Sequence, residues 1–301
     1  NKACSKESYK EKIMAYQNVG TPRIYLNIPE YLASNGLIID NVFRTLPVSA
    51  SAIGTGIDPA TTEIPNISAF TFTDADGNSI AYIALLGHTE TSYEINTYTG
   101  DIINGTQSEC SDGFSISKLS GRPTSISTTN NVGSIVFGAY YDFPHSPDLN
   151  LTLSYEYDGI KEIATQGGAT LTNAFYTKPP AWGSLGAWEL GGYSNHAKSG
   201  RRVWDLSFSY LSDSSVFPDN AGLVNETGAN LTLLEDDTFQ RVIHLTNGGQ
   251  LPFIFQADNT VDATSPKPDQ FAICKFDQSS FQFKQVANGV YNVKLKIREV
   301  W

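Results

Sequence analysis

Arg201-Arg-Val-Trp-Asp-Leu-Ser-Phe-Ser-Tyr-Leu211 alternates along its length, with Trp204, Leu206, Phe208 and Tyr210 on one side and Val203, Asp205, Ser207 and Ser209 on the other. Successive side chains of an extended strand point to opposite faces, so this segment predicts a strand with its large residues turned to a core. Downstream, Leu251–Gln256, Phe271–Asp277, Ser280–Gln285 and Val290–Trp301 read as further strands. The last places Val293, Leu295 and Ile297 inward and Lys294, Lys296 and Arg298 outward. Between them Glu235-Asp-Asp237 precedes Phe239, Val242, Ile243 and Thr246 at helical spacing, and Asn247-Gly248-Gly249 closes the segment as a helix C-terminus does. A single helix among antiparallel strands predicts a β-sandwich with one helix at its side.

Upstream, Asp148 to Tyr157 alternates with Leu149, Leu151, Leu153 and Tyr155 on one face. Asp158-Gly159 turns the chain into Ile160–Thr165, which predicts a hairpin. Pro144-His-Ser-Pro147 breaks the rhythm and predicts a hinge. Before it, Ser68–Thr73, Ile80–Gly87 and Ser134–Tyr141 are short apolar or β-branched runs, and Asp76-Gly77 between the first two signals a tight turn. Ser8-Tyr-Lys-Glu11 has capping-box spacing and predicts a solvated helix to about Gln17. The expected layout is all-β: an arm over 1–36, a β-sandwich over 37–146, and a second β-sandwich with one flanking helix over 147–301.

The chain has 301 residues, 40% hydrophobic and 17% charged, with 15 Tyr and 16 Phe, enough core material to exclude a disordered protein. Twenty basic against 31 acidic residues give −11 at pH 7, which argues against a sequence-reading nucleic-acid binder held by phosphate contacts. No apolar stretch reaches the roughly 18 residues that span a bilayer, and residues 1–16 lack an apolar signal core, so a soluble chain is expected. It begins at Asn1, which leaves open whether an upstream segment was removed.

Chemistry-bearing patterns are few. Cys4, Cys110 and Cys274 are too far apart for zinc ligation and allow at most one bridge; Cys274 sits in an apolar run and reads as a buried small hydrophobe. Asp74, Asp76 and Asn78 match the first ligand spacing of an EF-hand, but Ser79 and Leu85 stand where the loop needs Gly and Glu, so the segment reads as a turn. His88, His145, His196 and His244 never approach metal-ligand spacing, and His244 falls at the end of the expected helix. Nucleophile-elbow, P-loop and dinucleotide motifs do not occur, and the carboxylate pairs lie in caps and turns, leaving only a glycosidase assembled from distant strands as an enzymatic alternative. No catalytic residue, metal or cofactor is expected. Asn-x-Ser/Thr triplets occur at Asn66, Asn104, Asn150, Asn225 and Asn230, as they do by chance in a chain this rich in those residues. Trp182 and Trp188 flank the loop Trp-Gly-Ser-Leu-Gly-Ala-Trp, open to reading as interface anchor, core plug or ligand contact.

The succession Gly200-Arg-Arg-Val-Trp-Asp-Leu-Ser-Phe-Ser-Tyr210, Thr246-Asn-Gly-Gly249, Leu251-Pro-Phe-Ile-Phe255, Pro268-Asp-Gln-Phe-Ala-Ile-Cys-Lys-Phe276 and Gly289-Val-Tyr-Asn-Val-Lys-Leu-Lys-Ile-Arg-Glu-Val-Trp301 resembles minor or distal tail proteins of tailed bacteriophages. The resemblance covers roughly residues 147–301 and rests on the order of segments. It implies a tail-tube-like sandwich, a ring of six or three copies around the tail channel, other tail proteins as neighbours, and residence in the virion tail after synthesis in the host cytoplasm. Ile80-Ala-Tyr-Ile-Ala-Leu-Leu-Gly-His88, Ile135-Val-Phe-Gly-Ala-Tyr140 and Phe143-Pro-His-Ser-Pro-Asp-Leu149 look more weakly like a galactose-binding, discoidin-type jelly roll. Thr89-Glu90 departs from that pattern, so no sugar-contacting residue is carried over. The alternative function is therefore a host-surface glycan-binding module. For the assembly reading the candidate interface is Trp182 and Trp188, the basic face Lys294, Lys296 and Arg298, and the acidic run Glu235, Asp236 and Asp237, because opposite charges on separate surfaces suit a head-to-tail contact.

Overall fold

A computed structural model of the chain describes residues 19–36, 43, 51–52, 70–86, 92–97, 102–106, 114–128, 131–132, 134–156, 160–174, 201–219, 237–260 and 271–300. In chain order the elements are β1 (Arg23–Tyr25), α1 (Ile28–Ser34), β2 (Ser51–Ala52), β3 (Ala81–Leu86), β4 (Ser92–Thr97), β5 (Ile102–Thr106), β6 (Phe114–Leu119), β7 (Pro123–Thr128), β8 (Asn131–Val132) and β9 (Ser134–Asp142). There follow β10 (Thr152–Glu156), β11 (Ile160–Ala164), β12 (Thr170–Ala174), β13 (Arg201–Ser212), α2 (Asp213–Val216), α3 (Phe239–Leu245), β14 (Phe253–Gln256), β15 (Phe271–Phe276), β16 (Phe283–Ala287) and β17 (Val290–Glu299). The fold is mostly β, as the alternation predicts.

Its centre is a ten-stranded antiparallel sheet in the order β10-β13-β17-β15-β14-β1-β9-β3-β6, with β16 beside β17. The sheet does not break at Pro144–Pro147. Three-residue β1, from the expected arm, lies between β9 and β14, with Ile24 opposite both Tyr141 and Phe255. One hydrophobic cluster likewise joins Ile83, Phe137 and Tyr141 to Trp204, Phe208, Phe255 and Ile297.

Burial pattern explains which strands read as continuous apolar runs. β3 sends Ala81, Ile83 and Leu85 to the main cluster and Tyr82, Ala84 and Leu86 to a second cluster on the other face. A strand covered on both sides has no wet face to alternate with. β17 is covered on one side, where Val293, Leu295 and Ile297 are buried, and its alternation is legible for that reason. α3 lays Phe239, Val242 and Leu245 on the main cluster. Thr238 caps its start, its hydroxyl accepting from Arg241 N at 3.4 Å. Asn247, Gly248 and Gly249 at its end all take positive φ, at 48°, 68° and 90°.

Several expectations are corrected. β13 is regular through Phe208, after which its register with β17 shifts, and Leu211 is buried while Tyr210 stands 78% exposed at φ 63°. A β-bulge therefore turns Tyr210 out of the face that Trp204, Leu206 and Phe208 share. The expected pairing of the strands on either side of Asp158-Gly159 is not seen among the described residues: β10 pairs with β13, and β11 pairs with β12. Of the apolar side of Asp148–Tyr157, Leu151 and Leu153 pack on the core, but Leu149 and Tyr155 are exposed. Of the Ser68–Thr73 run, the described residues form no named strand: Phe70 and Phe72 join the main core cluster and Thr73 bridges to Ser79 around a turn in which Asp74 Oδ1 accepts from the backbone of Asp76 and Asn78. β16 starts at Phe283, three residues later than read. α1 and α2 were not anticipated; Asn27-Ile-Pro-Glu30 carries the signal for α1, since Asn27 Oδ1 accepts from Glu30 N at 3.1 Å and Pro29 occupies the first turn. The expected helix at 8–17 lies outside the described residues.

Candidate assembly surface

The outward face of β17 is a set of ion pairs within the chain. Lys296 Nζ lies 2.8 Å from Asp277 Oδ2, and this partner raises its pKa. Arg298 reaches across β13 to Glu156 of β10 at 3.0 Å, strapping the edge strand to the third strand in. Arg202 grips Glu299 and also donates to Phe271 O, with its guanidinium 5.2 Å from the Trp204 ring. The antiparallel ladder sets these opposite charges side by side, so Lys294, Lys296 and Arg298 do not form an open basic stripe; Lys294 is exposed.

Of the acidic run, Asp237 is described and half-buried, just before the cap of α3. Burial, opposed by Arg241 and reinforced by Asp142 and Asp74, raises its pKa to about 6, and its Oδ1 is buried without a hydrogen bond. Arg241, 1% exposed, donates from Nη2 to Thr71 O at 2.6 Å and ties α3 to the segment before β3. Glu235, Asp236, Trp182, Trp188, His88, His196, Cys4 and Cys110 lie outside the described residues.

The described histidines and cysteine have structural surroundings. His244 Nε2 sits 2.9 Å from the Tyr31 hydroxyl, and burial lowers its pKa. His145 Nδ1 lies 2.8 Å from Ser146 O. Cys274 is buried and free, its thiol pushed well up by burial. Among the described residues no group of three or more His, Cys, Asp or Glu is placed to hold a metal.

Two features escaped the sequence reading. The first is a polar seam at β1: Arg23 makes two 2.6 Å bonds to Asp142, Asn259 Nδ2 donates to Asp142 at 2.8 Å, and Tyr25 OH donates to Gln256 at 2.8 Å. Arg23 also stacks 4.1 Å from the Tyr140 ring centre, and burial pushes the Tyr25 phenol up to about 12. Partners 119 or 231 residues apart leave no local signal.

The second feature is where apolar surface stays in water. Among the residues whose exposure is described, the exposed large hydrophobic ones are Leu149, Tyr155, Ile163, Leu171, Tyr210 and Val286. Leu149 and Tyr155 flank or occupy the edge strand β10, and Tyr210 sits on the bulge of its neighbour β13. Ile163 faces Leu171 across the β11–β12 ribbon, which pairs with no other strand among the described residues. Comparison of the chain with protein-family models, with curated proteins and with solved structures finds no match.

Proposed function

We propose that the chain is a structural subunit of a bacteriophage tail, a minor or distal tail component that assembles with itself around the tail channel and does no catalysis. The observation that carries this is the placing, among the residues whose exposure is described, of large exposed apolar side chains on the β10 edge, the β13 bulge and the β11–β12 ribbon. Singly scattered apolar residues need no explanation, but large ones gathered at a sheet edge mark an interaction surface. They belong to the half whose segment order resembles the tail proteins.

Electron microscopy of the purified full-length chain tests the proposal. Closed rings with an axial hole are expected, and a monodisperse monomer at micromolar concentration overturns it. A glycan array separates the alternative, because a host-surface binding module gives saturable hits where an assembly subunit stays at background.

A further inference from the structure

β10 ends the nine-strand path of the sheet, and among the described residues no strand pairs with its outer side. Soluble proteins normally blunt such an edge with charged side chains, Lys above all, with Pro or with a bulge. Thr152-Leu-Ser-Tyr-Glu156 contains no Lys, Pro or bulge, its one charge, Glu156, is paired with Arg298 of the same chain, and its register with β13 runs unbroken from Thr152–Asp205 to Glu156–Arg201. Leu151 and Leu153 pack against the main core, while Tyr155, next on the same side, remains 45% exposed.

The strand is complementary to itself. Laid antiparallel on a second copy about Ser154, it sets Leu153 opposite Tyr155, Ser154 opposite Ser154 and Thr152 opposite Glu156. No like charges meet, and Glu156 is already answered by Arg298 of its own chain. Both Leu153–Tyr155 pairs fall on the core side, where aromatic and aliphatic residues stabilise a sheet across strands. A contact on a two-fold axis requires this kind of self-matching.

We propose that β10 pairs antiparallel with β10 of a second copy of this chain about a two-fold axis at Ser154, joining two ten-stranded sheets. The identity of the occupant rests on the assembly reading above; the two-fold register is separate from any head-to-tail ring contact. Five paired residues bury less than the roughly 800 Å² per partner of a standard interface, so the contact is one joint of a larger assembly and is best trapped covalently.

The test uses the full-length Ser154→Cys variant, checked by its melting curve for folding and treated with a short bis-maleimide. Residues on a two-fold axis meet their own copies, so covalent dimers well above the wild-type background are expected. Adding Tyr155→Lys should cut the dimer yield about tenfold through loss of both cross-strand pairs. Lys284→Cys, at an exposed position of β16, should stay at background. Dimer yield for Ser154→Cys no higher than wild type, or equal to that of Lys284→Cys, overturns the proposal, as does indifference to Tyr155→Lys. Rings in micrographs without Ser154→Cys dimers refute this joint and leave the assembly reading standing, whereas dimers without rings support the joint and refute the ring.

Discussion

Trp204 is 3% exposed, with its ring 5.1 Å from that of Phe255 and the Arg202 guanidinium above it. Trp204→Ala should cost about 3–5 kcal/mol through the cavity it leaves, seen as a lower denaturation midpoint in urea. Tyr210, two positions beyond Phe208 in an apparently regular alternation, behaves in the opposite way. Its backbone is held in the left-handed region, where a side chain costs on the order of 1 kcal/mol, and its ring gains little from burial. Tyr210→Gly should therefore leave stability unchanged or raise it by up to about 1 kcal/mol, and a large loss would show that the ring is packed. Trp204 was legible because it obeys the strand period. Tyr210 was not, because the bulge is decided by the pairing with β17, which no local pattern announces. Asp237 gives a pH dependence of known sign. Its folded pKa of about 6 lies above the ordinary carboxylate value near 4, so the native state holds the proton more tightly than the unfolded chain. Its contribution is most favourable below about pH 4 and is lost as pH rises through about 6, to a cost on the order of 2 kcal/mol. Asp237→Asn should match the wild type near pH 4 and exceed it in stability at pH 7–8, as read from melting temperatures across that range.

At the level of elements, the end of α3 ranks two adjacent glycines. A Cβ on Gly248 would meet nothing within 4 Å, whereas one on Gly249 would come within 2.8 Å of Phe276 Cβ. Gly248→Ala should lose about 1 kcal/mol from positive φ alone, and Gly249→Ala distinctly more, because β15 cannot retreat without disturbing the core. Equal losses in thermal denaturation would contradict that ranking. The α3 boundary was readable from Phe239, Val242 and the Asn-Gly-Gly run. α1 offered the weaker combination of Asn27 and Pro29, and four-residue α2 offered little beyond Ser212. Strand pairing was legible only where a turn is tight and local. Asp158-Gly159 looked like such a turn, but among the described residues β10 pairs with β13 and β11 with β12, and Thr165 to Ala169 forms the turn of the β11–β12 ribbon, with Gly168 at φ 81°.

For the whole molecule, β1 sits between β9 and β14, Tyr141 of β9 donates to Ser215 O of α2, and Arg241 of α3 binds the backbone at Thr71. These links cross the 146/147 division, so the described sheet should melt in one calorimetric transition, and two separated transitions would show that the halves are energetically independent. Cutting the chain between residues 144 and 145 should leave β14 without β1 and the Arg23–Asp142 seam without Asn259 and Gln256, giving fragments that aggregate when expressed separately. The position of β1 also bears on how the protein is made. Arg23–Tyr25 is made before both of its partners: β9 is complete at Asp142, but Phe253 onward follows only after more than a hundred further residues have been added. At elongation rates of about 5–20 residues per second this interval is roughly 6–20 s, during which β1 has one neighbour and an open side. The nascent chain therefore cannot close its central sheet before Phe253–Gln256 has been made, and a product truncated before that point carries an unsealed edge on β1.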